Sequence, residues 1–430
     1  MESYIHLYET NDKFTAAYNG PDYKEPWLSL TEENNAVNYN KPKLIDFSTE
    51  PLTFNIVSDG TINWTVLGSS AKTIEYKVND NEWASITSNT ESAKIPVNHG
   101  DKIQFRGNNA QYCDGTSSFN MFSGSTAEFE VEGNIMSLIN STDFATLTTL
   151  ESGFTFTRLF NDCTGLTSAE NLILPATTLA DYCYGGMFLG CTSLTTAPSL
   201  PATTLADYCY SMMFQGCIKL TTAPALPVTK LVQYCYYNMF AGCSSLKTTP
   251  ELPATILTEG CYSGMFNGCT SLITAPVLPA TTLAMGCYSG MFNGCTSLTT
   301  APELPVTTLA DYCYSEMFQD CTSLKTAPEL PARTLAERCY NSMFNGCTSL
   351  TTAPALPATT LAKRCYEYMF YGCTKLNYIK CLATDISVSY CTNNWVDRVA
   401  STGTFVKAAS MSGWTTGISG IPSGWDIQDA

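Results

Sequence analysis

Leu278 to Glu303 reads LPATTLAMGCYSGMFNGCTSLTTAPE, and seven other stretches between about residue 175 and residue 380 follow the same 26-residue pattern. A fixed period of this length marks a stacked repeat and outranks any local propensity. Cys183 returns every 26 residues as far as Cys365, and Cys191 does the same as far as Cys373, always eight residues behind the first series. Positions that stay the same from unit to unit are expected in the core. Leu179, Cys183 and Met187 lie at i, i+4 and i+8, with Tyr184 and Phe188 beside them, so one short helical segment, capped by Thr177 or Thr178, turns this set inward. Gly190 and its equivalents, replaced by Asp320 in one unit and Asp162 in the leading half-unit, mark the end of that segment, because glycine and aspartate share a tolerance for left-handed backbone. Cys191 to Pro198 then reads as a short strand, ended in each unit by a proline that lacks an N–H for the ladder.

Neither half of a unit buries its apolar side alone, so successive units must stack. The ends differ in sequence, as stacked arrays require. FTFTRLFNDCTGL, Phe154 to Leu166, resembles a half-unit at one end, and the tail after Cys381, with Trp395, Trp414 and Trp425, reads as an apolar lid at the other. The recurring F-x-G-C-T-S-L followed by L-P resembles the BspA-like leucine-rich repeats of bacterial surface proteins, over somewhat more than half the chain. The resemblance implies a solenoid that binds partners and does no chemistry. The 26-residue unit is longer than is usual in that family and carries an added proline.

The chain is acidic, with 38 acidic and 22 basic side chains among 430 residues and a formal net charge of −16. Phosphate backbones and anionic lipid surfaces are repelled by such a balance, so nucleic acid is not an expected partner. No run of about 18 apolar residues occurs, so no membrane-spanning helix is expected. Met1 to Asp12 carries Glu2, His6, Glu9 and Asp12 and does not read as a signal peptide, which places folding in a cytoplasm. The 20 cysteines repeat at core positions and are read as buried free thiols. Their spacing of eight and the presence of only His6 and His99 argue against a metal site. No Ser/His/Asp grouping, H-E-x-x-H or phosphate loop is present, so neither catalytic residues nor a cofactor is expected; paired carboxylates leave a glycan-acting enzyme as the remaining catalytic alternative.

Ahead of the repeats, residues 43–134 show about seven short alternating runs: 53–57, 61–66, 74–78, 93–97, 102–106, 118–122 and 127–131. They argue for an immunoglobulin-like β-sandwich with Trp64 and Trp83 in its core, acting as a spacer. Residues 1–42 form an anchor segment in which Pro21, Pro26 and Pro42 discourage regular structure, while Tyr18, Tyr23 and Trp27 are candidate attachment residues. Residues 135–173 are read as linker and half-repeat cap, 174–380 as the solenoid with one strand and one helical turn per unit, and 381–430 as the C-terminal cap. The first two segments resemble amino-terminal regions of virion proteins from phages of gut bacteria, including crAss-like phages.

That second resemblance implies a head or tail fibre or capsid decoration protein on the virion surface, joined to other virion proteins through residues 1–42 and to a host surface protein or glycan through the solenoid; the sequence leaves the oligomeric state open, a homo-trimer being the form common among elongated fibres. The alternative is a bacterial cell-surface adhesin. In either case specificity belongs at positions that vary between units. Ser199, Ala225, Glu251, Val277, Glu303, Glu329 and Ala355 form the candidate binding face; Asp207, Gln233, Glu259, Asp311, Glu337 and Lys363 form a second variable row.

Overall fold

The computed structural model describes strands within residues 1–45 and, beyond them, residues 46–430 except Thr116. Two compact units are present, 1–46 and 47–430. The first contains two antiparallel hairpins, β1 (Tyr4–Thr10) with β2 (Lys13–Asn19) and β3 (Leu30–Glu33) with β4 (Ala36–Tyr39). The irregular backbone expected here is therefore corrected. Pro21, Pro26 and Pro42, like Asn11-Asp12 and Asn34-Asn35, lie outside the described residues.

The second unit opens on two sheets. One contains β5 (Leu52–Ile56), β7 (Thr73–Val78), β8 (Ala84–Thr87), β10 (Lys102–Arg106), β12 (Phe129–Asn134) and β13 (Leu166–Ile173); the other contains β6 (Gly60–Leu67), β9 (Ala93–Val97) and β11 (Phe119–Met121). Phe54 and Phe105 of the first sheet and Trp64 of the second all meet Phe122, with ring centroids 4.8, 4.9 and 4.8 Å away. Trp83 is not part of that core. It is half-buried, with the Arg106 guanidinium 4.1 Å above its ring. Each of the seven expected runs carries a strand, and β8, exposed along most of its length, has no apolar alternation to announce it.

No gap separates these sheets from the repeats. β13, which leads into the first full unit, pairs in parallel with β12, and Ile135, Met136, Leu138 and Leu150 are buried in the same core as the repeat side chains. Side chains continue the join: the Phe122 ring stacks on Phe160 at 5.7 Å and Phe160 on Phe188 at 5.3 Å.

Within each unit the structure corrects the expected helical turn. Among the described residues the helices are three short 3-10 turns, Phe47–Thr49, Ile135–Leu138 and Phe144–Thr146, and none lies in a full repeat. In its place the chain makes a run of four-residue turns. Tyr182, Gly186 and Gly190 all have left-handed backbone, with φ of +57°, +58° and +73°. Alternate N–H groups then go to two kinds of acceptor: Gly185 donates back to Tyr182 O at 2.9 Å, while Tyr184 donates forward to Cys209 O of the next coil at 3.0 Å. An α-helix needs its N–H groups to stay within the segment. Here half of them tie one coil to the next, and the left-handed residue at every fourth position blocks the helical hydrogen-bond pattern.

The expected strand is also reduced, to isolated bridges such as Thr274 with Thr300 and Thr300 with Thr326. Proline is the reason, and the chain carries its own control. Where Glu170 and Lys380 replace the proline, at the two ends of the array, continuous strands form as β13 and β14 (Tyr378–Cys381). β14 is followed by β15 (Thr404–Lys407) and β16 (Asp426–Asp429), all parallel, and Trp395 stacks on Trp414 at 5.6 Å over the end of the array.

The third left-handed row, at Gly190, Gly216, Gly242, Gly268, Gly294, Asp320, Gly346 and Gly372, sets a rule for neighbours. A Cβ placed on Gly190 or Gly346 would collide with the carboxylate of Asp162 or Asp320 in the preceding coil. Aspartate is thus accommodated where the following coil has glycine. Gly268→Asp alone is expected to cost about 1 kcal/mol, since aspartate enters left-handed backbone with little penalty. Adding Gly294→Asp is expected to cost more than the sum of the single changes by at least about 1 kcal/mol, because of overlap and like charge. Urea unfolding of the two single variants and the double variant measures the difference; additive costs would sink the rule.

Candidate functional site

The site is a surface, and its regularity comes from what lies beneath it. Cys261, Tyr262, Met265, Phe266 and Cys269 are buried, as are their equivalents in the neighbouring coils. Phe266 stacks on Phe292 at 5.8 Å and Tyr262 on Tyr288 at 5.9 Å, nearly parallel in both cases. The second cysteine of each coil donates its thiol proton to a phenylalanine carbonyl in the coil before: Cys269 to Phe240 O at 3.2 Å, Cys295 to Phe266 O at 3.1 Å. That carbonyl also takes an N–H of its own coil, as Phe240 O does from Cys243 at 3.0 Å. Cysteine suits the position because it fills apolar volume and still donates. Burial pushes the Cys243 and Cys295 thiols up to about 12, so they hold their protons at neutral pH.

On this scaffold Ser199, Ala225, Glu251, Val277, Glu303, Glu329 and Ala355 are all exposed, one per coil, each following the repeat proline or its equivalent. Glu329 and Ala355 share a groove of about 320 Å³ whose other walls include Pro328, Pro331 and Pro354. The remaining members of the row do not line it. The second variable row has a different use. Asp207 Oδ1 accepts the Gln233 N–H at 3.1 Å, Asp311 Oδ1 accepts that of Glu337 at 2.9 Å, and Lys363 pairs with Glu337 at 2.8 Å. These side chains are occupied in joining coil to coil. Tyr18 lies in β2, in register with Ile5 of β1, and Tyr23 and Trp27 lie outside the described residues.

An aromatic row escaped the sequence reading. Phe154, Tyr182, Tyr208 and Tyr234 stack on the surface at 4.7, 4.5 and 4.8 Å, and the row stops at Gly260, where a Cβ would collide with the Tyr234 ring. Its signal was the tyrosine directly before three successive cysteines. Among the described residues no three His, Cys, Asp or Glu side chains converge as metal ligands, and no helix is long and apolar enough to cross a membrane.

Six copies of the BspA type leucine rich repeat region match the chain, over residues 116–247, 157–299 and 288–395. This chain belongs to the BspA-type leucine-rich repeat family. The BspA-type repeats thus account for the solenoid and reach back into the last strands of the preceding sheets. A leucine-rich repeat protein from Eubacterium ventriosum ATCC 27560, solved as a crystal structure, is 15% identical, with 66% of this chain and 90% of that one covered at a TM-score of 0.30. No curated protein matches the BspA-type chain.

Proposed function

We propose that the chain is a non-catalytic adhesion protein that holds a host-surface protein or glycan on its solenoid, carried on the outside of a phage virion as a fibre or capsid decoration. One observation carries the adhesion reading: buried positions barely change from coil to coil, while the exposed row from Ser199 to Ala355 does. A rigid ladder with interchangeable rungs is how repeat proteins recognise partners. Residues 1–42 serve as the attachment segment to other virion proteins, with Tyr18, Tyr23 and Trp27 as its contact residues, and the sheets of 43–134 act as an immunoglobulin-like spacer. The thiol rows favour the virion setting, because buried thiols donating hydrogen bonds suit a chain folded in a reducing cytoplasm and released by lysis.

The bacterial cell surface is the second location, supported by the BspA-type repeats. Immunogold labelling of purified particles and of uninfected cells separates the two locations.

Adhesion is tested by combining Glu251→Lys, Glu303→Lys and Glu329→Lys. Host attachment is expected to weaken several-fold with almost no change in Tm, because exposed substitutions cost under about 0.5 kcal/mol each. Unaltered attachment removes the role assigned to this row, and loss of the fold removes its placement on the surface.

A further inference from the structure

Away from the proline row, the last coils carry a recess of about 550 Å³ lined by Gln319, Asn345, Tyr368, Tyr371, Asn394 and Asp397. It lies between the second and third rows of left-handed residues, so the turn geometry sets the spacing of its walls. Tyr368 and Tyr371 meet edge to face at 5.9 Å, and Asn394 Nδ2 donates to the Tyr368 hydroxyl at 3.2 Å. Below them the buried Glu367 is held by Arg364 at 3.1 Å, Asn341 Nδ2 at 3.1 Å and Asn393 Nδ2 at 3.2 Å, which fixes the backbone that presents Tyr368. The side-chain amides of Gln319 and Asn345, the Tyr371 hydroxyl and the Asp397 carboxylate are engaged by no other described side chain.

We infer that this recess binds a neutral oligosaccharide. Two ring systems, unpaired amides and one carboxylate converge on an open recess, a set that stacks on a pyranose and hydrogen-bonds its hydroxyls in both directions. Other ligand classes fit less well. The Asp397 carboxylate in the lining and the −16 of the chain disfavour phosphates and acidic sugars, and the one nearby cation, Arg398, is held 5.2 Å over the Tyr371 ring. A peptide adding as a strand needs free backbone groups, and here the Asp320 and Gly346 N–H groups are already given to Asn345 O and Tyr371 O. A single carboxylate does not make a cation site. Two of the lining residues, Gln319 and Asn345, belong to a row that also holds Asn267 and Asn293 at the same position of the two preceding coils, so a glycan extending lengthwise out of the recess meets one amide per coil.

The inference deepens the adhesion reading and rests on it for its biological setting, and adds a contact on the turn face to that of the proline row. The experiment is saturation-transfer NMR on the full chain with cellotetraose and chitotetraose as neutral probes and trigalacturonate as an acidic one. At least one neutral tetrasaccharide is expected to bind, and Tyr371→Ala and Asn345→Ala are each expected to weaken it about tenfold, the loss of roughly one stacking or hydrogen-bonding contact. Tyr371→Phe keeps the ring and is expected to retain most of the binding, which separates loss of a contact from loss of the fold. Binding of neither neutral probe, tighter binding of trigalacturonate, or neutral binding unchanged by Tyr371→Ala and Asn345→Ala overturns the proposal. Host attachment lost in the Glu251, Glu303 and Glu329 triple variant but unchanged in Tyr371→Ala overturns this site alone and leaves adhesion standing; attachment unchanged in both removes both.

Discussion

Raising the pH past 9 is expected to unfold the solenoid over a narrow interval, with loss of the far-UV circular dichroism signal centred between about pH 9.5 and 11. The cause is the thiol rows. Burial pushes Cys183, Cys243, Cys295 and Cys313 up to about 12 and Cys261 up to about 11, from an ordinary value of 9.0. In that window the folded chain keeps protons that the unfolded chain gives up, so the unfolded state gains as pH rises. The stabilisation is complete below pH 9 and disappears as pH climbs toward 12. One such thiol removes up to about 1 kcal/mol per pH unit, and because the raised thiols recur in every coil their effects accumulate into a steep slope. Burial raises the repeat tyrosines such as Tyr262 and Tyr288 as well, which adds to the slope at the upper end. A far-UV signal unchanged at pH 11.5 would show that the thiols are not buried in the protonated form; a transition that moves strongly with salt would assign the effect to surface repulsion.

Phe266→Ala is expected to cost about 3–5 kcal/mol, the range for deleting a buried ring that cannot be replaced by collapse of its neighbours. The ring is held between Phe240 and Phe292 at 5.8 Å on each side, and coils spaced by their own hydrogen bonds cannot close the gap. Phe266→Leu keeps most of the apolar volume and is expected to cost about 1.5 kcal/mol or less. Because each coil touches only its neighbours, the loss should be local. Hydrogen exchange should rise first at the Phe240 N–H, bonded to Met265 O at 2.9 Å, and at the Phe266 N–H, bonded to Met291 O at 2.9 Å. A cost under about 1 kcal/mol, or exchange that rises evenly along the array, would contradict the neighbour-only account.

The helical reading of residues 179–190 failed for a reason that the residues alone do not reveal. Leu179, Cys183, Tyr184, Met187 and Phe188 also fall within one stripe of an α-helix, so the burial pattern fits both structures. The carbonyls that draw half of the N–H groups away lie 25 residues ahead, as Cys209 O does for Tyr184, and they come within reach only after the coils have stacked. A partial sign was present. Gly260 and Gly286 in the first left-handed row, and Gly186, Gly264 and Gly290 in the second, stand where other units carry tyrosine, arginine, methionine, asparagine, glutamate or serine. The larger side chains masked the rows, because stacking compels even Tyr182 and Arg338 into left-handed backbone, at φ of +57° and +53°.

The candidate surface divides in the same way. Exposure of Glu251, Glu303 and Glu329 followed from their variation between units, since a side chain outside the packed interior is free to change. The recess near Tyr371 was not legible, because its walls come from four coils and include Asp397 beyond the last full repeat.

By itself the sequence determined the period, the composition of the interior and the places where the array begins and ends, because each depends on side-chain volume and polarity recurring at fixed intervals. Only the tertiary structure decided that a unit is a chain of turns and not a helix and a strand, which acids join coils and which stand free, and where a cavity opens. Those outcomes depend on hydrogen-bond partners a full coil away, and a backbone group has no preferred distant partner until the packing of apolar rows has set the register.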